Sequence, residues 1–340
     1  MRVSDRTTIR NYLNYLDQAK TNYAETNERI ASGNRFERIS DDVSAGTRVM
    51  RVRTDMKKTE EYYDTVRAIN EELTVTENAM TAINDLLTKA HTKILKALND
   101  PTGSSGREAI ANEISAIKKE MLQCANTKYN NKYVLAGSSA SVAPFSLDSN
   151  GKLRYNNIDV DIIKYTTTDG YYWEDGSGTK HSIPMDKDIY ADIGLGIRMT
   201  GSDIQSDTAF KVSYSGLEIL GCGEDSNGDP KNLYSLLSKI EDAMRGGNLD
   251  KLGSLDSILV KSTEEFSKFI TDVGSKTNFL DGVETRLTSR IDSYQKHIGT
   301  LMGIDDAKEA MNQTMNDYVL KAVLQMGANI LPVSLMDFLN

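Results

Sequence analysis

The sequence predicts a mainly α-helical protein with a β-rich insert: an elongated antiparallel helical rod formed by both ends of the chain, plus a small outer β domain. Apolar residues recur at heptad spacing in both end regions of the 340-residue chain. Aromatic residues make up only 7% of the chain, with a single Trp173, a composition that favours helices over sandwiches or barrels. Between residues 137 and 230 glycine, proline and alternating apolar residues replace the helical pattern, which indicates strands and turns.

The N-terminal third is predicted to contain three helices. The first covers residues 5–31, and its apolar or small positions follow a seven-residue repeat: Ile9, Tyr12, Leu16, Ala19, Tyr23 and Ile30. Gly33 is a typical helix stop, and the Ser-Asp-Asp run at 40–42 supplies capping side chains for a second helix from about residue 42. This helix continues without proline to Pro101, and a capping-box pattern at 105–108 opens the third.

The middle segment carries two strand signals. Asn150-Gly151 lies between short alternating apolar runs, which predicts a β-hairpin. Residues 158–162 alternate apolar and acidic side chains, which is typical of a half-buried strand.

The C-terminal third returns to helix. Asp229 and Pro230 are predicted to open it, as a capping residue and a first-turn proline. A seven-residue repeat then runs without a miss through Leu252, Leu259, Phe266, Val273, Leu280, Leu287, Tyr294 and Leu301. A final amphipathic helix and the apolar tail 330–340 complete the chain.

These patterns divide the chain into five predicted parts. They are an N-terminal assembly helix at 1–40, disordered in the monomer or part of an inner core, and rod segments at 41–136 and 231–303. The β-rich outer domain covers 137–230, and a C-terminal assembly helix with its tail covers 304–340.

Composition excludes several classes of protein. A net charge of −9 and a pI near 5.1 give no attraction to nucleic acid or to an anionic membrane surface. We expect no membrane span and no cleaved secretory signal, since no long apolar run is present. Cys124 and Cys222 are far apart in different kinds of segment and are predicted to be unpaired thiols.

No pattern indicates catalysis, a metal site or a cofactor. His91, His181 and His297 have no ligand spacing with cysteine or carboxylate partners. Residues 225–229 begin like a calcium loop, but Pro230 replaces the required glycine. We therefore predict that the chain is not an enzyme and has no cofactor.

The terminal helices keep apolar stripes with no obvious partner inside the monomer, which predicts a polymerisation surface. Packing within the chain is the plainer alternative for the heptads and for the tail. The predicted assembly contacts are Ile9, Tyr12, Leu16, Tyr23, Ile30, Tyr318, Leu331, Leu335, Phe338 and Leu339.

Several segments resemble a known superfamily. Residues 28–35 (ERIASGNR), followed by Ser-Asp-Asp at 40–42 and by YVLAGS at 133–138, resemble the flagellin and junction-protein superfamily. The ending LPVSLMDFL at 331–339 resembles that of the hook-associated protein 3 family. Ile39 and Val43, where that superfamily often has proline, and the additional Asn340 are departures from the pattern.

This resemblance implies a structural subunit that joins hook to filament in the bacterial flagellum. It implies export through the flagellar type III apparatus, assembly as a ring through the terminal helices, and an extracellular location at the hook-filament junction. The implied partners are hook-associated protein 1, flagellin, further copies of the chain and a cytoplasmic export chaperone. Candidate chaperone-binding residues on the last helix are Met311, Met315, Tyr318 and Leu324.

Two alternative functions stay open at this stage. The chain could be a flagellin, the bulk subunit of the filament, although flagellins usually end in a leucine-rich run. It could also be a type III-secreted coiled-coil adhesin or tip protein that binds its target through the β-rich middle.

Overall fold

The fold of the chain is mainly helical, as the heptad repeats predicted. The computed structural model describes residues 2–99, 103–138, 141–183, 188–194, 196, 198–200, 203–205 and 209–330. In this part of the chain the helices are α1 (Arg2–Ser32), α2 (Val43–Asn99), α3 (Gly103–Ala125), α4 (Gly216–Leu220), α5 (Leu233–Gly246), α6 (Leu249–Met302) and α7 (Asp306–Ile330).

The chain divides into two compact units. The first combines the two ends, Met1–Glu60 and Thr288–Asn340, and the second is the continuous segment Glu61–Leu287. Among the described residues, the first unit therefore holds α1, α7 and the outer ends of α2 and α6, and the second holds everything between them.

The first unit has a small apolar cluster made by Phe36, Ala45, Val49 and Met302. Gly33 ends α1 with a left-handed φ of 68°, and its N–H donates to the carbonyl of Arg29 at 2.9 Å. The carboxylate of Asp42 accepts the N–H of Ala45 at 2.9 Å at the start of α2. Both the predicted helix stop and the predicted cap are therefore confirmed.

The second unit is built on the antiparallel packing of α2 and α6. Asn70 donates to Asp281 at 2.7 Å, and the His91 ring lies 2.8 Å from Asp256, so residue numbers rise along one helix as they fall along the other. The heptad positions of α6 within this unit are all buried: Leu252, Leu259, Phe266, Val273, Leu280 and Leu287. The predicted repeat is thus the seam of the helical core.

Short antiparallel strands form the middle of the second unit. Two sheets have three strands: β3 (Phe145–Leu147), β4 (Leu153–Tyr155) and β5 (Ile158–Asp159), then β6 (Lys164–Thr166), β7 (Gly170–Glu174) and β8 (Lys180–Ser182). Three further strand pairs are β1 (Lys128–Tyr129) with β2 (Lys132–Tyr133), β9 (Tyr190–Ala191) with β12 (Phe210–Lys211), and β10 (Met199–Thr200) with β11 (Asp203–Ile204). Gly151, with φ of 77°, lies in the β3–β4 turn, which confirms the predicted hairpin.

Two local predictions in this region are wrong, namely a strand at 158–162 and a helix cap at Asp229. The strand expected at 158–162 stops after Asp159, whose carboxylate accepts the N–H of Asp161 and caps a 3-10 turn over Val160–Ile162. Local side-chain capping competes here with the strand pattern.

Asp229 is also not the cap of the returning helix. The cap of α5 is Asn232, whose amide oxygen accepts the N–H groups of Tyr234 and Ser235 at 3.0 and 3.3 Å. The third helix likewise begins at Gly103, so the capping-box pattern at 105–108 lies inside α3 and does not start it.

Candidate assembly surface

The two terminal helices pair with each other in antiparallel orientation. Tyr12, near the start of α1, lies against Gly327, near the end of α7, and Arg29 meets Glu309 at the other end of the pair. A Cβ atom at position 327 would collide with the Tyr12 hydroxyl in its present position, so glycine at 327 lets the tyrosine ring lie directly against the α7 backbone. The apolar stripes were expected to have no partner within the monomer. That expectation is wrong for Tyr12 and Ala19, because the pairing of α1 with α7 leaves these residues only 8% and 5% exposed.

A groove of about 420 Å³ runs between α1 and α7. Its lining includes Tyr12, Tyr15 and Ala19 from α1 and Val319, Val323 and Met326 from α7. Tyr15 and Met326 remain 64% and 57% exposed, so the groove is apolar and open to solvent.

The face of α7 turned away from α1 carries an apolar stripe. Met311, Met315 and Tyr318 follow the four- and three-residue steps of one helix face, and they are 67%, 69% and 75% exposed. Near them on α7, Lys321 donates a hydrogen bond to the carboxylate of Asp317 at 2.6 Å, and this bond raises the pKa of Lys321. Exposed apolar stripes of this kind mark contact surfaces for other proteins.

The predicted assembly residues divide into three groups by environment. Tyr12 is buried in the α1–α7 pair, while Ile9, Leu16 and Tyr23 are half-buried on α1. Ile30, Tyr318 and the three other chaperone candidates are exposed. Leu331, Leu335, Phe338 and Leu339 lie outside the described residues.

Sequence reasoning missed several exposed apolar residues of the same pair. Leu13, Tyr15, Val319 and Met326 each expose more than a third of their surface. They lie outside the heptad positions by which the predicted apolar stripes were defined. A search for apolar residues beside the heptad positions would have found them.

Metal and membrane sites are missing from the described part of the chain. No group of three or more His, Cys, Asp or Glu side chains in it is arranged to hold a metal ion. None of its helices combines the length and the apolar character that a bilayer span requires. Neither Cys124 nor Cys222 forms a disulfide in this part of the chain, and burial raises the pKa of Cys124.

Comparison with protein families matches residues 3–140 to the bacterial flagellin N-terminal helical region. This segment contains α1, α2 and α3 and the YVLAGS motif that follows them. The match covers less than half of the chain. The first three helices of this chain are therefore similar to that region.

Part of the chain is similar to curated proteins named flagellar hook-associated protein 3. Over 147 residues the chain is 22% identical to flagellar hook-associated protein 3 of Escherichia coli, a match that covers 43% of this chain and 46% of that protein. The chain thus matches about half the length of this curated relative.

Solved structures share the fold. A proposed flagellar hook-associated protein of Vibrio parahaemolyticus has a TM-score of 0.55 at 12% identity, over 77% of this chain and 100% of that one. Flagellar hook-associated protein 3 of Legionella pneumophila has a TM-score of 0.50 at 14% identity, over 74% of this chain and 98% of that one. The mainly helical fold with a β-rich insert is therefore shared with these two proteins.

Proposed function

We propose that this chain is a structural subunit of the bacterial flagellum that joins the hook to the filament. The observation that carries the proposal is the exposed apolar stripe of α7, on a helix whose opposite face is already paired with α1. A surface of this kind needs a further protein partner to remove it from water. The match to the flagellin N-terminal helical region and the similarity to hook-associated protein 3 support an axial flagellar protein as that partner.

The proposed role is mechanical and not catalytic. The terminal helices would assemble into a ring at the hook-filament junction, between hook-associated protein 1 and the first flagellin subunits. The tail residues Leu331, Leu335, Phe338 and Leu339 are proposed as further contacts on sequence grounds alone. Export through the flagellar type III apparatus would bring the chain to this extracellular position.

A strain that lacks this chain tests the junction role directly. We expect electron microscopy to find hooks without filaments, together with flagellin monomers shed into the medium and loss of motility. Intact filaments in that strain would refute the junction role and favour an adhesin. Bare hooks without shed flagellin would instead identify the chain as flagellin itself.

The apolar stripe of α7, formed by Met311, Met315 and Tyr318, is proposed to bind the export chaperone before assembly. Replacing Met311 and Met315 with Ser removes two exposed apolar groups from α7, and we expect chaperone affinity to fall by about tenfold or more. The matched control replaces Met50 and Met199, which are 54% and 63% exposed outside α7. Isothermal titration with the purified chaperone measures the affinity of each variant. Equal affinities for the two variants would show that the stripe is not the binding site of the chaperone.

A further inference from the structure

Two turns of the second unit share the sequence Asp-Ser-Asn-Gly and the same hydrogen bonds. We call the turn at 148–152 the first DSNG turn and the turn at 225–229 the second. In each turn, the carboxylate of the opening aspartate accepts the backbone N–H groups of the residues two and four positions later, at 2.8 or 2.9 Å. The carbonyl of the same aspartate accepts the glycine N–H at 3.1 Å. The two turns are therefore matched in sequence and in local geometry as far as the glycine.

The asparagines of these turns, Asn150 and Asn227, are exposed, and each precedes a glycine. Such a pair can rearrange without an enzyme. The glycine nitrogen attacks the carbon of the asparagine amide and closes a succinimide ring; the C–NH2 bond breaks, and the proton from the glycine N–H leaves with the ammonia. Water then opens the ring at either carbonyl, which leaves aspartate or isoaspartate. Glycine favours the attack because no Cβ atom hinders the approach of its nitrogen.

The hydrogen bonds of the turns oppose this reaction. In both turns the glycine N–H is bonded to the carbonyl of the opening aspartate, so the nitrogen cannot lose its proton and attack until the turn opens. The same kind of local opening limits the hydrogen exchange of backbone amides. The rate at each asparagine therefore depends on how often its turn opens, and contacts that hold a turn from outside should slow the reaction.

The second DSNG turn is held firmly by lysines from α5 and α6. Lys239 donates to the carbonyl of Gly228 at 2.6 Å. Asp229, the last residue of the turn, is only 4% exposed, and its carboxylate lies 2.9 Å from Lys239 and 2.7 Å from Lys251. These charge-assisted contacts must break before this turn can open fully.

The charge pairs of the first DSNG turn are longer and more exposed. Arg154 lies 3.7 Å from Asp148, and Lys152 lies 3.5 Å from Asp159, both beyond ordinary hydrogen-bond length. The side chains of these two cations are 43% and 60% exposed, so water weakens both attractions. The first turn should therefore open more often than the second.

We propose that Asn150 is a site of spontaneous deamidation, and that Lys239 and the buried Asp229 protect the same Asn-Gly sequence at Asn227. Water is the co-reactant, and ammonia is the leaving group. The product carries an additional negative charge beside Lys152, and its isoaspartate form has an extra backbone carbon in the β3–β4 turn. The proposal concerns the free chain and does not depend on the proposed flagellar function.

The test incubates the purified full-length chain at a mildly alkaline pH and follows both asparagines by peptide-mapping mass spectrometry. Electron-transfer fragmentation of the peptides distinguishes isoaspartate from aspartate. The same measurement on the chain unfolded in guanidinium chloride gives the intrinsic rate at each asparagine. The ratio of the unfolded rate to the folded rate then measures how strongly the fold protects each of the two sites.

We expect the fold to protect Asn227 about tenfold more than Asn150, because the second DSNG turn must also break a hydrogen bond to a charged group. Equal protection of the two asparagines would overturn the proposal. So would a folded chain in which Asn150 stays unmodified while the unfolded chain reacts there.

A lysine substitution tests the source of the protection. Lys239→Gln removes the contact with the carbonyl of Gly228, so Asn227 should lose most of its additional protection while Asn150 keeps the parent rate. The matched control is Lys231→Gln, which removes an exposed positive charge next to the same turn and should leave both rates unchanged. Full protection of Asn227 in the Lys239→Gln chain would overturn the proposal. Should that chain unfold, both sites would react at their unfolded rates, and the comparison within the parent chain decides.

Discussion

Asp229 is a buried carboxylate held between two lysines of the second unit. Its carboxylate lies 2.7 Å from the ammonium group of Lys251 and 2.9 Å from that of Lys239, and only 4% of the residue is exposed. The hydrogen bonds from Lys251 and Lys239 hold the pKa of Asp229 below its ordinary value. A carboxyl with a lowered pKa in the folded state stabilises the fold above its unfolded pKa of about 3.9, and this contribution is lost as pH falls through the folded value.

We therefore predict that Asp229→Asn lowers the free energy of unfolding at pH 7 by about 1–3 kcal/mol. The difference from the parent should begin to shrink below about pH 4, where the carboxyl of the unfolded chain takes up a proton, and it should vanish once the pH has fallen through the lower pKa of the folded state. Urea unfolding at several pH values measures this. Asp64→Asn, at an exposed position of α2, is the control, and a pH-independent loss at Asp229 would contradict the prediction.

Asp229 also shows that a local sequence signal can be overridden by tertiary contacts. An aspartate followed by proline is a typical helix start, yet Asp229 is taken up by lysines from α5 and α6. Asn232 caps α5 because it can also donate to the carbonyl of Gly221 at 2.7 Å. These contacts are made by residues 10 to 22 positions away along the chain, so the position of the α5 cap depends on tertiary packing.

At the scale of elements, periodicity predicted the long helices well and their breaks less well. The unbroken repeat from Leu252 to Leu287 corresponds to the buried face of α6. The stop between α5 and α6 at Gly247, with φ of 71°, was not predicted, although its Gly-Gly-Asn sequence is a turn signal. The short strands were predicted as a region and not individually, because two- and three-residue strands carry too few side chains for a periodic pattern.

The seam between α2 and α6 leads to a stability prediction. Phe266 is 1% exposed in that seam, and Phe266→Ala removes its whole ring from the core. We expect a loss of about 3–5 kcal/mol, since the cavity adds to the lost transfer free energy. The control is Phe279→Ala in the same helix, where the ring is 47% exposed and stacks only on Phe210, at 6.0 Å. Equal losses in thermal unfolding would show that the seam does not dominate stability.

At the scale of the whole molecule, the two ends of the chain form one unit and the middle forms the other. The five sequence-based parts, with terminal assembly helices at 1–40 and 304–340, stay a prediction. The division between the two compact units falls after Glu60 and after Leu287, inside α2 and α6. A continuous helix carries no sequence signal where its packing partners change, so this boundary depends on three-dimensional contacts.

The two units differ greatly in their buried apolar groups, and this predicts different local stabilities. The first unit has a cluster of Phe36, Ala45, Val49 and Met302, together with a partly polar α1–α7 pair. The second has a continuous core that runs from Val66 to Leu287. Since local opening is easiest where few apolar contacts hold a segment, α1 and α7 should open far more often than the second unit.

Hydrogen exchange measured by mass spectrometry on the purified full-length chain tests this difference. We expect backbone amides of α1 and α7 to exchange at least about a hundredfold faster than those of the buried stretch of α6 between Leu252 and Leu287. Fast exchange would mean that the free chain opens its terminal pair readily, so that a chaperone or a neighbouring subunit can capture either helix. Equal protection of the terminal helices and α6 would contradict this, and would require assembly to proceed from an already rigid α1–α7 pair.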